Sequence, residues 1–223
     1  KITNESTVSV DNVKFVNGSA VNGGAIYVDE NSTLNIRESV FENNTASLGS
    51  SIYNNGKLEL SSNTVKEHYG IYNVGNITNI NVQFNDSSIN VDWFDEVDVI
   101  LNITDSNSNG IIDPRDIEFY FEYQDEYYNT QQIPVKAKFN ATDSVYHIKF
   151  TPPASGSINL DSSANPQYEY VGIGWFYISL QPINATFNIT PVDPEVDYGV
   201  NPVFLINLTG YNNTKIDAYG SIS

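Results

Sequence analysis

Oxygen-bearing side chains alternate along one short segment in the middle of the chain, at the spacing that a calcium loop needs. The segment from Asp105 to Asp116 reads DSNSNGIIDPRD. It matches the pattern D-x-[DN]-x-[DN]-G, in which carboxylate and amide oxygens take alternate places and the glycine allows a sharp turn. The twelfth place holds aspartate, which is shorter than the bidentate glutamate that usually closes such a loop. The segment predicts a calcium site with these ligands: Asp105, Asn107, Asn109, Asp113 and Asp116.

A plain hairpin turn is the competing interpretation of the same segment. Its flanks alternate apolar and polar residues, as strands do, whereas the usual calcium loop of this pattern lies between helices. The dipeptide Asn109-Gly110 is also the commonest signal for a tight turn between two strands. Both interpretations remain open from the sequence, and the two neutral amides among the ligands would make calcium binding modest.

Residue types that carry catalysis are scarce. Two histidines and no cysteine leave little material for a zinc site or a thiol nucleophile. The sequence contains no G-x-S-x-G elbow and no phosphate-binding glycine loop. Six carboxylates of the first ninety residues are scattered in a way more typical of a solvated face than of a catalytic groove: Asp29, Glu30, Glu38, Glu42, Glu59 and Glu67. We expect a protein that is not an enzyme and has no cofactor apart from calcium, with a polysaccharide lyase or hydrolase as the enzymatic alternative.

Aromatic residues offer a different kind of binding site. In the segment GWFYISL, apolar residues alternate with Trp175 and Tyr177, so these two rings face outward if Phe176 faces the core. Tyr120 lies in the same way between two phenylalanines. Exposed tyrosine and tryptophan rings can stack on sugars. We predict a ligand platform at Tyr120, Trp175 and Tyr177; the alternatives are that a neighbouring module covers the rings or that the two faces are reversed.

The overall charge limits the partners. The net charge is −17, and ten lysines and arginines can hardly build the basic face that nucleic acid requires. No apolar run approaches the length of a membrane span, and no signal peptide or initiator methionine opens the chain. We therefore expect no nucleic acid, no membrane span in this segment, and a longer parent protein.

Asparagine–x–serine/threonine sequons are dense along the whole chain. Such density is typical of an extracellular surface that carries N-linked glycans, although asparagine, serine and threonine also meet by chance in turns. The twelve candidate acceptors are Asn4, Asn17, Asn31, Asn43, Asn76, Asn85, Asn102, Asn140, Asn184, Asn188, Asn207 and Asn212.

A repeat near the start indicates the elements that must position these groups. GGAIY ends at Tyr27, returns as GSSIY ending at Tyr53 and more loosely as HYGIY ending at Tyr72, with offsets of 26 and 19 residues. Repeats of this length are typical of coils that stack in a solenoid. We predict parallel coils over residues 1–92, with two internal ladders: Phe15, Phe41 and Val65, and Ile26, Ile52 and Ile71.

Beyond the repeat, single strands alternate with turns. Alternating apolar residues from Val97 to Ile189 predict a β-sandwich over residues 93–190. Two prolines, Pro191 and Pro194, then mark a boundary. Residues 191–223 resemble the opening strands of a second such module, too short to close by themselves.

The repeat residues also carry a family resemblance. GGAI at 23–26, followed by FENN at 41–44, resembles the GGAI and FxxN repeats of polymorphic outer-membrane and adhesin-like proteins. The sequon-rich form GGAIYVDENSTLNI is similar to adhesin-like proteins of methanogenic archaea, and VDVILNITDSNSNG resembles bacterial immunoglobulin-like modules. The resemblance implies an all-β chain: the C-terminal coils of a right-handed parallel β-helix, an immunoglobulin-like β-sandwich and the start of a second one.

The same resemblance implies a location and a role. The expected place is the cell surface, and the expected role is attachment to a host, to partner cells or to polysaccharide. The partners would be glycans or proteins of other cells, or further copies or segments of the same protein. A structural spacer or envelope component without a ligand on this segment is the alternative.

Overall fold

The fold is described from a computed structural model of the chain. The structure describes residues 1–169 and 171–181, together with the backbone of two strands at 186–191 and 204–209. Throughout these residues the fold is all-β, without a helix, as the sequence predicts. It divides into two compact units, Lys1–Ser179 and Leu180–Ser223.

The described strands are β1 (Thr7–Asp11), β2 (Lys14–Val16), β3 (Ile26–Val28), β4 (Thr33–Arg37), β5 (Val40–Glu42), β6 (Ile52–Asn54), β7 (Lys57–Ser61), β8 (Thr64–Val65), β9 (Ile71–Asn73), β10 (Asn76–Thr78), β11 (Ile80–Phe84), β12 (Ser88–Asp92), β13 (Val97–Asp105), β14 (Ile111–Ile112), β15 (Ile117–Gln124), β16 (Thr130–Asn140), β17 (Val145–Phe150), β18 (Gly156–Leu160), β19 (Tyr168–Glu169), β20 (Gly172–Ile173), β21 (Phe176–Gln181), β22 (Thr186–Pro191) and β23 (Phe204–Thr209).

The first ten strands form successive coils that add strands to parallel sheets: β1 to β3 make the first coil, β4 to β6 the second, and β7 to β10 the last. β1, β4, β7 and β10 pair in one sheet, β2, β5 and β8 in a second, and β3, β6 and β9 in a third. The register aligns Ile26 with Ile52 and Ile52 with Ile71. Phe15 likewise aligns with Phe41, and their rings stack at 4.9 Å. The predicted ladders are therefore confirmed, because residues one repeat apart take equivalent places on adjacent strands.

Residues with positive φ make the corners between these strands. Asn17 and Asn43 have φ of 58° and 56° at equivalent corners, and Gly23 and Gly49 have φ of 63° and 62° at another. Asparagine and glycine adopt this left-handed conformation at less cost than other residues. The asparagine-rich corners of the sequence thus have a conformational reason.

A nine-stranded sheet makes up most of the rest of the first unit. Its order is β12-β21-β18-β15-β16-β17-β13-β11-β20. Phe84 of β11 contacts Phe176 of β21 at 5.2 Å between ring centroids, although the two strands are far apart in the sheet order. Such a contact requires the sheet to curl around its own core.

Two features of this sheet differ from the sequence interpretation. β11 pairs antiparallel with β13, so the predicted limit at residue 92 does not mark a change of sheet. Ile80 and Val82 of β11 point inward, and this alternation suits a strand of the coils or a strand of the antiparallel sheet equally well. The pairing with β13 therefore decides which sheet β11 joins. The segment of β18, which the sequence interpretation did not assign to a strand, lies between β15 and β21.

Two strands from the later part of the chain pair with the last coil. β14 adds to the third sheet, with Ile111 opposite Ile71. β19 adds to the first sheet, with Tyr168 opposite Ile77. We call β14 and β19 together the coil cap. Because the coil cap covers them, Ile71 and Ile77 are fully buried.

The second unit contains one described antiparallel pair. β22 pairs with β23, from Thr186 opposite Thr209 to Pro191 opposite Phe204. The sequence interpretation had placed the strand of β22 in the preceding sandwich and residues 191–223 in a partial second module. The remainder of 191–223 lies outside the described residues.

Candidate functional site

Two aromatic rings, the exposed Trp175 and the half-buried Tyr177, stack on the outer face of the nine-stranded sheet. Phe176 and Ile178 of β21 point into the core and are 3% and 0% exposed. Alternation therefore turns Trp175 and Tyr177 outward, where their rings stack with centroids 5.9 Å apart and an interplanar angle of 16°. Trp175 is 64% exposed. This is the outward orientation that the sequence predicts.

A polar groove lies beside the stack. In register across the sheet, Tyr177 is opposite Ser157, and Ser157 is opposite Glu122. The groove has a volume of about 250 Å³ and is lined by Glu122, Tyr123, Gln124, Thr130, Ser155, Gly156, Ser157 and Tyr177. Hydroxyl, amide and carboxylate groups thus surround an aromatic ring, which is the mixture that a sugar requires.

Tyr120 lies on the same face but does not join the stack. It is half-buried on β15, opposite Asn159 of β18. Two strand spacings separate β15 from β21, or about 10 Å. The structure therefore places Tyr120 on the far side of β18 from Trp175 and Tyr177, within reach of an extended ligand but not of the same ring.

The Asp105 loop is held together by its own hydrogen bonds. The buried Asp105 carboxylate accepts from the backbone N–H groups of Asn107 and Asn109, both at 2.9 Å, and from the Asn109 side-chain amide at 2.7 Å. The Asn109 amide also donates to the carbonyl of Asn63 and accepts from the N–H of Val65. Asn109 therefore ties the loop to the last coil.

The same turn occurs a second time, in a segment without the calcium pattern. The Asp125 carboxylate accepts from the N–H groups of Tyr127 and Asn129, both at 2.9 Å. Ser108 and Tyr128, the fourth residues of the two turns, have φ of 63° and 62°. The hydrogen bond from Asn129 helps to hold the pKa of Asp125 below its usual range. Aspartate followed four residues later by asparagine thus accounts for this turn geometry with hydrogen bonds alone.

The remaining predicted ligands have other partners. Asp113 is fully buried against Arg115, and its carboxylate also accepts from Asn73 and Tyr168. Asp116 faces Lys136 and Lys138 at 3.9 and 3.8 Å. Among the described residues, no three acidic, histidine or cysteine side chains come together as a metal cage. Calcium binding by this segment stays a prediction.

Several coil carboxylates are engaged in contacts between neighbouring coils. Glu42 lies between Lys14 and Lys66, at 2.6 and 3.1 Å. Glu67 accepts from the N–H of Asn44 and the hydroxyl of Ser51, at 2.6 and 2.7 Å. Both side chains therefore link one coil to the next.

The sequons within the described side chains differ in accessibility. Asn4, Asn17, Asn31, Asn43, Asn76 and Asn85 are exposed, whereas Asn102 and Asn140 are half-buried. The Asn102 amide is engaged: it donates to the side chain of Asn85 and accepts from the hydroxyl of Tyr69. Asn184 and Asn212 lie outside the described residues, and the side chains of Asn188 and Asn207 are not described.

Sequence reasoning missed the polar lining of the groove. The sequence analysis predicts no strand at residues 156–160, so it does not place Ser157 beside the aromatic stack. The alternation of GSINL, in which Gly156, Ile158 and Leu160 are buried, is the signal that could have found it.

Comparison with known proteins adds no relative. No protein-family model matches the chain, and no curated protein matches it. In the described part of the chain there is no helix with the length and apolar character needed to cross a membrane.

Proposed function

We propose that the chain is a non-enzymatic, adhesin-like protein of the cell surface that attaches to polysaccharide on a host or partner cell. The observation that carries this proposal is the exposed stack of Trp175 and Tyr177 beside a polar groove. A solvent-exposed tryptophan gives up hydrophobic free energy unless a partner covers it, and a sugar face is the partner that adjacent hydroxyl and carboxylate groups suit.

The strand that carries Tyr177 holds the aromatic stack in a fixed position. Tyr177 belongs to β21, which is hydrogen-bonded to β18 on one side and to β12 on the other. A ring held on a central strand loses little conformational entropy when a ligand binds. A rigid aromatic surface is therefore available before the ligand arrives.

The finer architecture belongs to the same proposal. We take the stacked coils as the end of a right-handed parallel β-helix, the curled sheet as an immunoglobulin-like sandwich, and β22 with β23 as the start of a second one. The exposed sequons support an extracellular location with N-linked glycans, because an accessible asparagine side chain is the acceptor that glycosylation needs.

Binding of the purified chain to a glycan array and to intact cells tests the function. We expect saturable binding that Trp175→Ala or Tyr177→Ala abolishes. Tyr27→Ala is the matched control, because Tyr27 is a half-buried tyrosine of the coils, alternates with the buried Ile26 and Val28 on β3, and does not line the groove. Binding that survives the loss of Trp175 would refute the site, and loss on chelation would instead implicate the Asp105 loop.

A structural spacer is the second candidate, and one observation favours it. The first coil exposes Val13, Val16 and Val21 by 40, 42 and 76%, and β1 and β2 have one unpaired edge each within the described sheets. Further coils or copies of the chain would cover such an edge. Absence of any saturable ligand together with concentration-dependent assembly would favour this candidate. A lyase or hydrolase is the third, and shortened polysaccharide would be its signature.

A further inference from the structure

Four groups that can carry positive charge meet on the two central strands of the outer face. Lys136 and Lys138 lie on β16, and His147 and Lys149 lie on β17. Lys138 is directly opposite His147, and the antiparallel register makes Lys136 and Lys149 the next opposite positions. We call these four residues the cation cluster. It is unexpected in a chain of net charge −17 with only ten lysines and arginines.

The cation cluster surrounds a cavity. The cavity has a volume of about 430 Å³ and is lined by Lys136, Lys138, Phe139, Asn140, His147 and Lys149. Like charges directly opposite each other on adjacent strands destabilise a sheet. In the free protein four carboxylates compensate that repulsion, and an anion above the two pairs can take their place.

Carboxylates approach the cation cluster from its margins. Glu118 on β15 lies 2.7 Å from Lys136, and Asp98 on β13 lies 3.1 Å from Lys149. Lys138 has the weakest pairing, with Asp116 at 3.8 Å, and its side chain is 69% exposed. Exposed ion pairs of this kind contribute little free energy, so a ligand oxyanion can compete for the lysines.

Ionisable side chains face His147 from both neighbouring strands and from the turn before β17. Its Nδ1 lies 2.7 Å from Asp98 of β13, and its Nε2 lies 2.9 Å from Asp143 of the turn before β17. Lys138 faces it from β16. Partial burial opposes the charged form, but the two carboxylates outweigh it and raise the pKa of His147.

The cation cluster and the aromatic stack share one face. Tyr177, Glu122, Lys136, Lys138, His147 and Lys149 all alternate with buried residues of the same sheet, so they point to its outer side. Three to four strand spacings separate β21 from β16 and β17, or about 15–20 Å. In register across the sheet, Tyr177 leads through Ser157 and Glu122 to Gln132, which lies four residues before Lys136 on β16, so a polymer that runs diagonally from the stack reaches the cluster.

We propose that the cation cluster binds the oxyanion groups of an acidic polysaccharide whose sugar rings stack on Trp175 and Tyr177. This rests on the proposed function and names its ligand class. Carboxylates and sulfate esters share the recognising chemistry, namely oxygens that accept from lysine ammonium groups. The aromatic stack supplies affinity for sugar rings, and the cluster selects the charged polymers.

Matched polymers separate the two parts of the binding site. Affinity is measured for polygalacturonate against its methyl ester, and for dextran sulfate against dextran, at about 50 and about 300 mM salt. We expect the acidic member of at least one pair to bind about tenfold more tightly at low salt and to lose that advantage at high salt. Equal binding of the acidic and neutral members of both pairs would overturn the inference.

Charge-matched variants locate the effect. Lys138→Gln with Lys149→Gln is expected to abolish the preference for the acidic polymer. Lys14→Gln with Lys66→Gln changes the net charge equally on the coils and is expected to preserve it. An equal loss in both double variants overturns the inference, because overall charge would then be the cause. Lys138→Arg with Lys149→Arg keeps the positive charges and is expected to preserve the preference.

The outcomes also distinguish this inference from the proposed function. If Trp175→Ala abolishes binding of all polymers while the Lys138 and Lys149 variant changes nothing, the adhesin site stands and the oxyanion site falls. If Trp175→Ala changes nothing while the lysine variant abolishes binding of the acidic polymer, the aromatic stack is not the sugar-binding site and the proposed function is refuted there. The inference is then refuted as well, because it requires one polymer to bind both the stack and the cluster.

Discussion

At the scale of single residues, Asp113 is the most tightly held ionisable group that carried a functional prediction. It accepts from Arg115 at 2.8 and 2.5 Å, from Asn73 at 3.0 Å and from Tyr168 at 2.9 Å. Burial, followed by the charge of Asp113, raises the pKa of Tyr168, so that its hydroxyl stays protonated and donates. The residue that the motif assigns to a metal therefore joins the coil cap to the last coil.

Removal of this carboxylate is expected to destabilise the fold. Asp113→Ala leaves the Arg115 guanidinium and three further donors without their acceptor and should lower the free energy of unfolding by about 3 kcal/mol. Asp116→Ala, at an exposed residue of the same segment, is the control and should have little effect. Urea unfolding measures both, and equal effects would contradict the buried network.

The pH dependence of stability should reflect His147. Because its pKa is raised in the folded state, the stabilisation is complete below about pH 6.5, the ordinary value for the unfolded chain, and is lost as the pH rises through the folded value. The difference in Tm between the native chain and His147→Gln should therefore be larger at about pH 5.5 than at about pH 8.5. A constant difference would show that the imidazole charge has no role.

The conformational role of a corner asparagine can be separated from its role in a sequon. Asn43 has φ of 56°, so Asn43→Ala should destabilise the coils by about 1 kcal/mol, whereas Asn43→Gly should not. Thr45→Val removes the sequon and leaves the corner intact. Unfolding of the unglycosylated protein provides the measurement, and equal stability of the alanine and glycine variants would contradict the conformational role.

At the scale of elements, the coil cap is the feature that sequence periodicity does not contain. The Asp105 loop supplies β14, and a later segment supplies β19, and both pair in register with the last coil. They extend its ladders with Ile111 and Tyr168, which are 0% and 7% exposed. The open edges of β9 and β10 are thereby paired, whereas β8 remains the end strand of its described sheet.

Neighbouring residues of β14 test this role. Ile111→Ala should lower the free energy of unfolding by about 3 kcal/mol, because Ile111 continues the buried ladder of Ile71. Ile112→Ala should have a smaller effect, because Ile112 is half-buried on the opposite side of the strand. Chemical denaturation of both variants compares them, and a larger effect at Ile112 would mean that the assigned faces are wrong.

At the scale of the whole molecule, the coils and the curled sheet form one unit. Lys1–Ser179 is a single compact body, joined by the pairings of β14, β19 and β11 across the predicted boundary. We expect it to open cooperatively, because separation of the two parts would expose the buried Ile71 and Ile77.

Amide hydrogen exchange checks this cooperativity. Peptides from the second coil and from β15 should reach the same maximal opening free energy, and Asp113→Ala should lower both together. If peptides of the coils exchanged through a separate, less stable opening, the coil cap would not join the two parts energetically.

The local pattern of the fold follows from the order of the amino acids. The repeat fixed the ladders of Ile26, Ile52 and Ile71, and alternation fixed the outward orientation of Trp175 and Tyr177, because side chains of a strand must alternate between its faces. The placement of Trp175 and Tyr177 on the face opposite Phe176 was therefore predictable without coordinates, whereas the choice of the outer face for the two rings was not.

The meeting of distant segments depends on the three-dimensional fold. The pairing of Ile111 with Ile71, the place of β18 beside the aromatic stack and the meeting of Lys138 with His147 all depend on strand partners and register. A single sequence states which face of each strand is apolar but not which strand lies beside it, because any strand edge can offer the same backbone hydrogen bonds. The same reason leaves the Asp105 motif ambiguous, since its oxygens suit either a cation or the N–H groups of a turn.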